Sequence, residues 1–205
     1  MNHLTGLYAI TMDGIQGEAL LAQARAALRG GSRILQYRDK SGDTQRRWQE
    51  AQALLALCRR HQALFIINDD LELCLQCDAH GVHLGRNDSH LGTARKKLGQ
   101  HKIIGISCYN DLSLAHHAAA QGADYLAFGA IYPSTTKPAA VNASLALLQR
   151  AKTELDLPIV AIGGITPENA GQVIQAGADM VAMIQGLFSQ EDIRLAAQKT
   201  TRLFK

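Results

Sequence analysis

The feature that most constrains this chain is an alternation carried from end to end: short apolar, largely β-branched runs separated by longer segments rich in Ala, Leu, Gln and Arg. The runs are Leu7–Ile10, Arg33–Tyr37, Leu64–Ile67, Gly81–Leu84, Ile103–Ile106, Tyr125–Phe128, Ile159–Ile162 and Met180–Met183, eight in all. Between them, segments such as Glu18–Leu28, Gln45–Arg60 and Leu112–Ala120 place apolar residues three and four apart, the period of a helix packed on one face. Several helical segments end on similar punctuation, Leu28-Arg29-Gly30-Gly31, Gln121-Gly122-Ala123-Asp124 and Ala176-Gly177-Ala178-Asp179, in which a glycine supplies the left-handed residue that stops a helix. Strands alternating with helices imply parallel pairing through right-handed crossovers. Eight such units match a small closed (β/α)8 TIM barrel, an α/β fold, formed as one domain over residues 1–205. An open doubly wound sheet is the competing architecture, but Thr11-Met12-Asp13-Gly14 after the first strand lacks its glycine fingerprint.

Composition narrows the function classes. Apolar residues are 47% and charged residues 19% of the chain, the balance of a globular protein with a sizeable core. Net charge is only +3, and the longest basic run is Arg95-Lys96-Lys97, so nucleic acid is not an expected partner while a small anionic ligand is. No apolar stretch approaches the ~20 residues that span a bilayer, and Met1–Thr5 lacks signal-peptide character; no membrane association and a cytoplasmic location are expected. The reading allows for a homo-oligomer. Cys58, Cys74, Cys77 and Cys108 are too few and too scattered for a disulfide framework. Cys74 and Cys77 with His80 and His83 have a zinc-like spacing, but the pattern Leu71, Leu73, Cys74, Cys77 fits the apolar face of a short helix and the histidines fall outside it. The cysteines therefore read as small buried hydrophobes.

In a barrel of this kind chemistry collects at the C-terminal ends of the strands. Strand two ends in Gln36-Tyr37-Arg38-Asp39-Lys40, where alternation turns Gln36, Arg38 and Lys40 to one side, a set suited to phosphate oxygens. Strand three ends in Asn68-Asp69-Asp70 and strand four leads to Asp88; carboxylates beside those cations suit Mg²⁺ shared with a diphosphate. Each Asp taken singly also reads as a helix N-cap, one of Asp69 and Asp70 in particular. Strand five ends in Ser107, and strand six opens into Tyr132-Pro133-Ser134-Thr135-Thr136-Lys137-Pro138, three hydroxyls and a cation. Strand seven ends in Gly163-Gly164, with Pro167 at a helix start, and strand eight in Ile184-Gln185-Gly186. These last two loops are the usual phosphate site of the fold.

The ordered motifs QYRDK, FIINDD, GVHLGRND, GISCYND, DYLAFGAIYPSTTK, PIVAIGGIT and GADMVAMIQ closely resemble those of the thiamine-phosphate synthase family. The resemblance implies a transferase of thiamine biosynthesis that joins 4-amino-5-hydroxymethyl-2-methylpyrimidine diphosphate to a thiazole phosphate, giving thiamine phosphate and diphosphate by a dissociative, Mg²⁺-assisted route. It assigns the pyrimidine diphosphate to Gln36, Arg38, Lys40 and Asn68, magnesium to Asp69 and Asp88, and the rest of the diphosphate site to Ser107 and Lys137. Arg38, Lys40, Ser107 and Lys137 would be the catalytic groups. Ser134, Thr135, Thr136, Gly164, Ile184 and Gln185 would surround the thiazole phosphate. The chain departs from the family pattern at Arg86, Ser134 and Gln185, where Gln, Thr and Ser are usual.

Three other readings compete. A thiazole tautomerase-like isomerase on the same barrel uses a histidine just after strand five, where this chain has Tyr109, and it lacks the metal and diphosphate constellation retained here. A non-catalytic thiazole phosphate sensor would not need the retained Arg38, Lys40, Asp69, Asp88 and Lys137. A Schiff-base aldolase would need Lys137 in an apolar pocket, and its neighbours are hydroxyls.

Overall fold

Each of the eight apolar runs forms a strand, and the eight close on themselves in sequence order as an all-parallel barrel. The computed structural model describes residues 4–86, 88, 90–133 and 142–204. Strands β1 (Gly6–Ile10), β2 (Ile34–Tyr37), β3 (Leu64–Asn68), β4 (Gly81–Leu84), β5 (Ile103–Tyr109), β6 (Tyr125–Phe128), β7 (Ile159–Ile162) and β8 (Met180–Met183) form the wall. Helices α1 (Gly17–Arg29), α2 (Thr44–Arg60), α3 (Leu71–Cys77), α4 (Leu91–Leu98), α5 (Leu112–Ala120), α6 (Leu145–Glu154) and α7 (Ala170–Gln175) lie in the successive crossovers. A short α8 (Gln185–Phe188) and a terminal α9 (Ile193–Arg202) follow β8. Among the described residues no helix is long and apolar enough to cross a membrane.

Period-two alternation divides the core into two layers. Tyr8, Ile10, Ile34, Leu64, Ile66, Tyr125, Ala127, Val160, Met180 and Ala182 fill the barrel interior. The intervening strand residues, among them Leu7, Ala9, Leu35, Phe65 and Ile67, join the apolar faces of the helices outside. The four apolar positions anticipated in α3, Leu71, Leu73, Cys74 and Cys77, are all buried in it. Asp43, Asp70, Asp111, Ser144 and Asp192 cap α2, α3, α5, α6 and α9, each side chain accepting a backbone N–H three residues on.

The repeated Gly-Ala-Asp has a mechanical role. Gly122 and Gly177 take positive φ, +88° and +105°, and turn the chain out of α5 and α7. The Asp that follows binds the strand next door: Asp124 Oδ2 accepts from Ile104 N at 2.7 Å, and Asp179 Oδ2 from Ile159 N at 2.8 Å. His80 stands in the same place before β4, its Nδ1 accepting from Phe65 N at 2.9 Å while its own N–H donates to the Phe65 carbonyl at 3.0 Å.

One local expectation is sharpened and two are corrected. In Gly30-Gly31 the left-handed residue is Gly31, at φ +99°, as expected of a glycine there, while Gly30 keeps near-helical values and leaves out a Cβ that would meet Ala197 and the Arg194 carbonyl. Pro167 lies in a turn ahead of α7 instead of opening the helix. Strand β5 runs on to Tyr109 through an irregularity between Ser107 and Tyr109, a longer element than Ile103–Ile106 alone.

Candidate functional site

The C-terminal end of β2 keeps its strand alternation past the last ladder residue. Gln36 is buried inside the barrel, whereas Tyr37 turns outward and donates its hydroxyl to Glu50 of α2 at 2.6 Å. Asp39 also turns outward, to an ion pair with Arg46 at 2.8 Å. The intervening Arg38 and Lys40 therefore stand on the mouth side. Arg38 pairs with Asp13 and Lys40 with Asp69, while Lys40 N also donates to Asp13 Oδ1 at 3.1 Å. Thr11 locks this corner by accepting from Arg38 N at 2.8 Å. Nothing local in Thr11-Met12-Asp13-Gly14 marks Thr11 or Asp13, whose partners Arg38 and Lys40 lie far along the chain.

The two aspartates of Asn68-Asp69-Asp70 divide the work. Asp70 caps α3 through Leu73 N at 2.9 Å and pairs with Arg47, also at 2.9 Å. Asp69 is left to the mouth, in a left-handed conformation at φ +63°, between Lys40 and Asp88. Asp88 does not cap the following helix, where His90 holds the cap position. Its Oδ2 instead folds back to accept Gly85 N at 2.6 Å. The two carboxyls share a hydrogen bond and their titrations separate. For Asp69 burial opposes ionisation, but Lys40 and the hydrogen bond with Asp88 outweigh it and hold the group below the usual carboxylate range. Burial and then the Asp69 hydrogen bond push Asp88 above it.

Two carboxylates meeting beside one ammonium are oxygen donors of the kind a hard divalent cation takes, with the remaining positions left to water or to ligand oxygens. Among the described residues no cluster of three or more His, Cys, Asp or Glu side chains could hold a metal. A protein-only metal cage is therefore not what these residues build. The zinc-like spacing does not converge: Cys74 and Cys77 are buried in α3, His80 binds Phe65 N, and His83 points into the barrel.

Ser107, on β5 next to β4, lies at the end of a hydrogen-bonded series through the barrel interior. Gln36 Nε2 donates to Tyr8 Oη at 2.7 Å, Tyr8 Oη meets Tyr125 Oη at 2.8 Å, Tyr125 Oη meets His83 Nδ1 at 3.0 Å, and His83 Nε2 meets Ser107 Oγ at 2.8 Å. Tyr8, His83 and Tyr125 were missed as site residues because each sits inside a strand that reads simply as apolar. Gly105 held the available signal: a Cβ there would lie 1.9 Å from Tyr125 Cζ, and a glycine within a strand marks the close approach of a neighbour. Asn68 ends β3 beside this series, in register with His83.

A cleft of about 490 Å³ opens beside Gly85, Asp88 and Ser107, with α4 and α5 as its outer walls. A second depression, about 690 Å³ and lined by Pro167, Glu168, Asp192 and Lys199, contains none of the strand-end groups. Next to the first cleft, Arg86 N donates to Tyr109 Oη at 2.9 Å and the Arg86 guanidinium lies 4.9 Å over the Tyr109 ring. The charge at Arg86 is therefore stacked on an aromatic face.

On the far side of the mouth the β6 and β7 ends close on each other. Ile131 N and Tyr132 N donate to the Ile162 and Gly163 carbonyls, both at 3.0 Å. Gly164 sits at φ +61°, where a Cβ would lie 2.5 Å from the Pro133 carbonyl oxygen. Asn169 holds the turn, accepting from Thr166 N at 2.9 Å and donating to the Gly164 carbonyl at 3.0 Å. Ile184 packs against the interior cluster at the start of α8, ahead of Gln185. At Gly186 a Cβ would lie 1.9 Å from the Ile165 carbonyl oxygen. Ser134, Thr135, Thr136 and Lys137 lie outside the described residues.

Comparison with known proteins places the chain. A family model described as thiamine monophosphate synthase matches residues 7–187. A thiamine-phosphate synthase of Thioalkalivibrio sulfidiphilus is 55% identical over 203 residues, 98% of this chain and 96% of the relative. One from Nitrosococcus oceani is 55% identical over 195 residues, 95% and 90% of the two chains. The solved structure of a thiamine phosphate pyrophosphorylase from Pyrococcus furiosus superimposes with a TM-score of 0.90 at 32% identity, covering 99% of this chain and 96% of that one. With these matches spanning nearly its whole length, the chain belongs to the thiamine monophosphate synthase family.

Proposed function

We propose that the protein condenses 4-amino-5-hydroxymethyl-2-methylpyrimidine diphosphate with a thiazole phosphate to give thiamine phosphate and diphosphate. The observation that carries the reading is the meeting of Asp69 and Asp88 beside Lys40, at the mouth of a barrel whose sequence family performs this chemistry. Loss of a diphosphate from the pyrimidine methylene leaves a cation on carbon and concentrates charge on the leaving oxygens. Groups fixed around the departing anion therefore do most of the work, and no protein nucleophile is needed.

Arg38 and Lys40 are turned to the mouth with their charges paired to Asp13 and Asp69, and both would hold diphosphate oxygens, with Ser107 and Lys137 completing that set. Asp69 and Asp88 fit Mg²⁺, which when bound would neutralise the diphosphate and assist its departure. Gln36 and Asn68 would orient the pyrimidine. Gly164, Ile184, Gln185 and the hydroxyls of Ser134, Thr135 and Thr136 would seat the thiazole phosphate, close to the point where β6 and β7 clamp together. The isomerase reading would need a histidine just after β5 to move the proton; a phenol is a far weaker acid at neutral pH, and Tyr109 stands there with its hydroxyl accepting Arg86 N. With small-molecule substrates of this kind, the protein would work in the cytoplasm.

The test is product analysis. Purified protein given both substrates and Mg²⁺ should accumulate thiamine phosphate, and an Asp69→Ala, Asp88→Ala double variant should not. Unchanged product formation by that variant would refute the assignment of the site.

A further inference from the structure

We propose that Tyr8, Tyr125 and His83 are positioning residues that orient the Ser107 hydroxyl: a one-directional line of hydrogen bonds, begun by the Gln36 amide on the opposite wall, fixes the His83 tautomer and turns the Ser107 proton out to the mouth. The inference rests on the synthase reading for what Ser107 then binds, a diphosphate oxygen, while the order of the protons follows from the Gln36 donation and the single proton of each phenol.

Each phenol has one proton to give, and that restriction sets the direction. Gln36 Nε2 donates to Tyr8 Oη, so the Tyr8 proton is available for its other neighbour, Tyr125 Oη at 2.8 Å. Tyr125, having accepted that proton, gives its own to His83 Nδ1 at 3.0 Å. An imidazole that accepts at Nδ1 carries its proton on Nε2, and Nε2 is the atom 2.8 Å from Ser107 Oγ. Ser107 then accepts from His83, and its own O–H is left to donate to an acceptor in the mouth. Reversing any one link reverses all those beyond it. With His83 as acceptor, the serine would present only lone pairs to an anion.

The surroundings hold this line in place. Tyr8 and Tyr125 are fully buried, and burial pushes both phenols well above their ordinary range, so both remain proton carriers. The two rings meet edge to face at 5.9 Å, and His83 stacks on Tyr125 with 19° between planes. Gly105 leaves out the side chain that would occupy the Tyr125 ring position. At the starting end, a Gln36 amide that spends Nε2 on Tyr8 keeps its carbonyl oxygen for a donor in the mouth, such as an exocyclic amino group on a pyrimidine. One amide thereby matches a donor at one wall of the site and a hydroxyl donor to an anion at the other.

The experiment is a long-range ¹H–¹⁵N spectrum of ¹⁵N-histidine-labelled protein without substrates, with His83 assigned by the loss of its signals in His83→Gln. The expected result is a neutral His83 protonated on Nε2, with Nδ1 bare. In Tyr125→Phe that preference should collapse to a mixture of tautomers, and Tyr8→Phe serves the same purpose should Tyr125→Phe fail to fold. In turnover, Tyr125→Phe should lower kcat about tenfold with little change in KM, the size of one oriented hydrogen bond, and should add nothing in a Ser107→Ala background. A His83 protonated on Nδ1, or a tautomer indifferent to both substitutions, would overturn the proposal. Additive kinetic losses would overturn the routing through Ser107. Because the spectrum needs no activity, it separates failure of this proposal from failure of the synthase reading.

Discussion

Replacing His80 offers a quantitative test of how the barrel is tied together. Its Nδ1 accepts the N–H of Phe65, a residue fully buried in β3, as Asp124 and Asp179 accept the corresponding N–H groups of β5 and β7. His80→Ala leaves that buried donor without an acceptor and should cost about 1–3 kcal/mol. In a chain of this length each kcal/mol lowers the melting midpoint by about 2–4 °C. His80→Asp restores the acceptor in the form the sibling units use, and places a carboxylate near Arg59 and Lys102. It should keep most of the stability. Burial first, then Arg59 and Lys102, hold the His80 pKa below its unfolded value, about 6.5 for histidine. Below that pH the unfolded chain takes the proton first, so the contribution of His80 is complete above about pH 7 and fades as the pH falls below the unfolded value. Urea melts at pH 8 and pH 5.5 check this: the gap between wild type and His80→Ala should shrink at the lower pH, and His80→Asp should hold its stability there. A gap that is absent at pH 8, or unchanged by pH, would refute the reasoning.

Further outcomes follow from the site and its walls. Asp69→Ala or Lys137→Ala should lower the rate of diphosphate release by about a hundredfold or more, as expected when a principal electrostatic contact is lost, and steady-state kinetics measure it. Gly164→Ala forces a Cβ to within 2.5 Å of the Pro133 carbonyl at a positive φ. It should destabilise by about 1–3 kcal/mol and raise KM for the thiazole phosphate more than for the pyrimidine diphosphate, read by thermal melts and initial rates. Burial pushes the thiols of Cys58, Cys74 and Cys108 up to about 12, so the native protein should react slowly with a disulfide reagent at pH 8 and rapidly once unfolded in urea.

The barrel was legible in the sequence because both of its periods are written there: two along each strand and three to four along each helix. Alternation sets the side to which Gln36, Arg38 and Lys40 turn, and Asp39 turning away to Arg46 shows the rule at work. The choice between Asp69 and Asp70 was not legible, since either residue type caps a helix; it is decided by the left-handed turn at Asp69, which leaves Asp70 to meet Leu73 N. Asp13 was invisible because its partners, Arg38 and Lys40, lie 25 and 27 residues away. The interior line was hidden for a related reason: tyrosine in a strand looks like any large apolar residue, and its hydroxyl matters only once β1, β4, β5 and β6 curve around one axis.

The central claim is met most directly by one measurement: release of diphosphate by the purified protein supplied with the pyrimidine diphosphate, the thiazole phosphate and Mg²⁺. Diphosphate should appear in step with thiamine phosphate, one for one, and should stop when a chelator removes the metal. No diphosphate release under these conditions, or release undiminished by the chelator, would contradict the account.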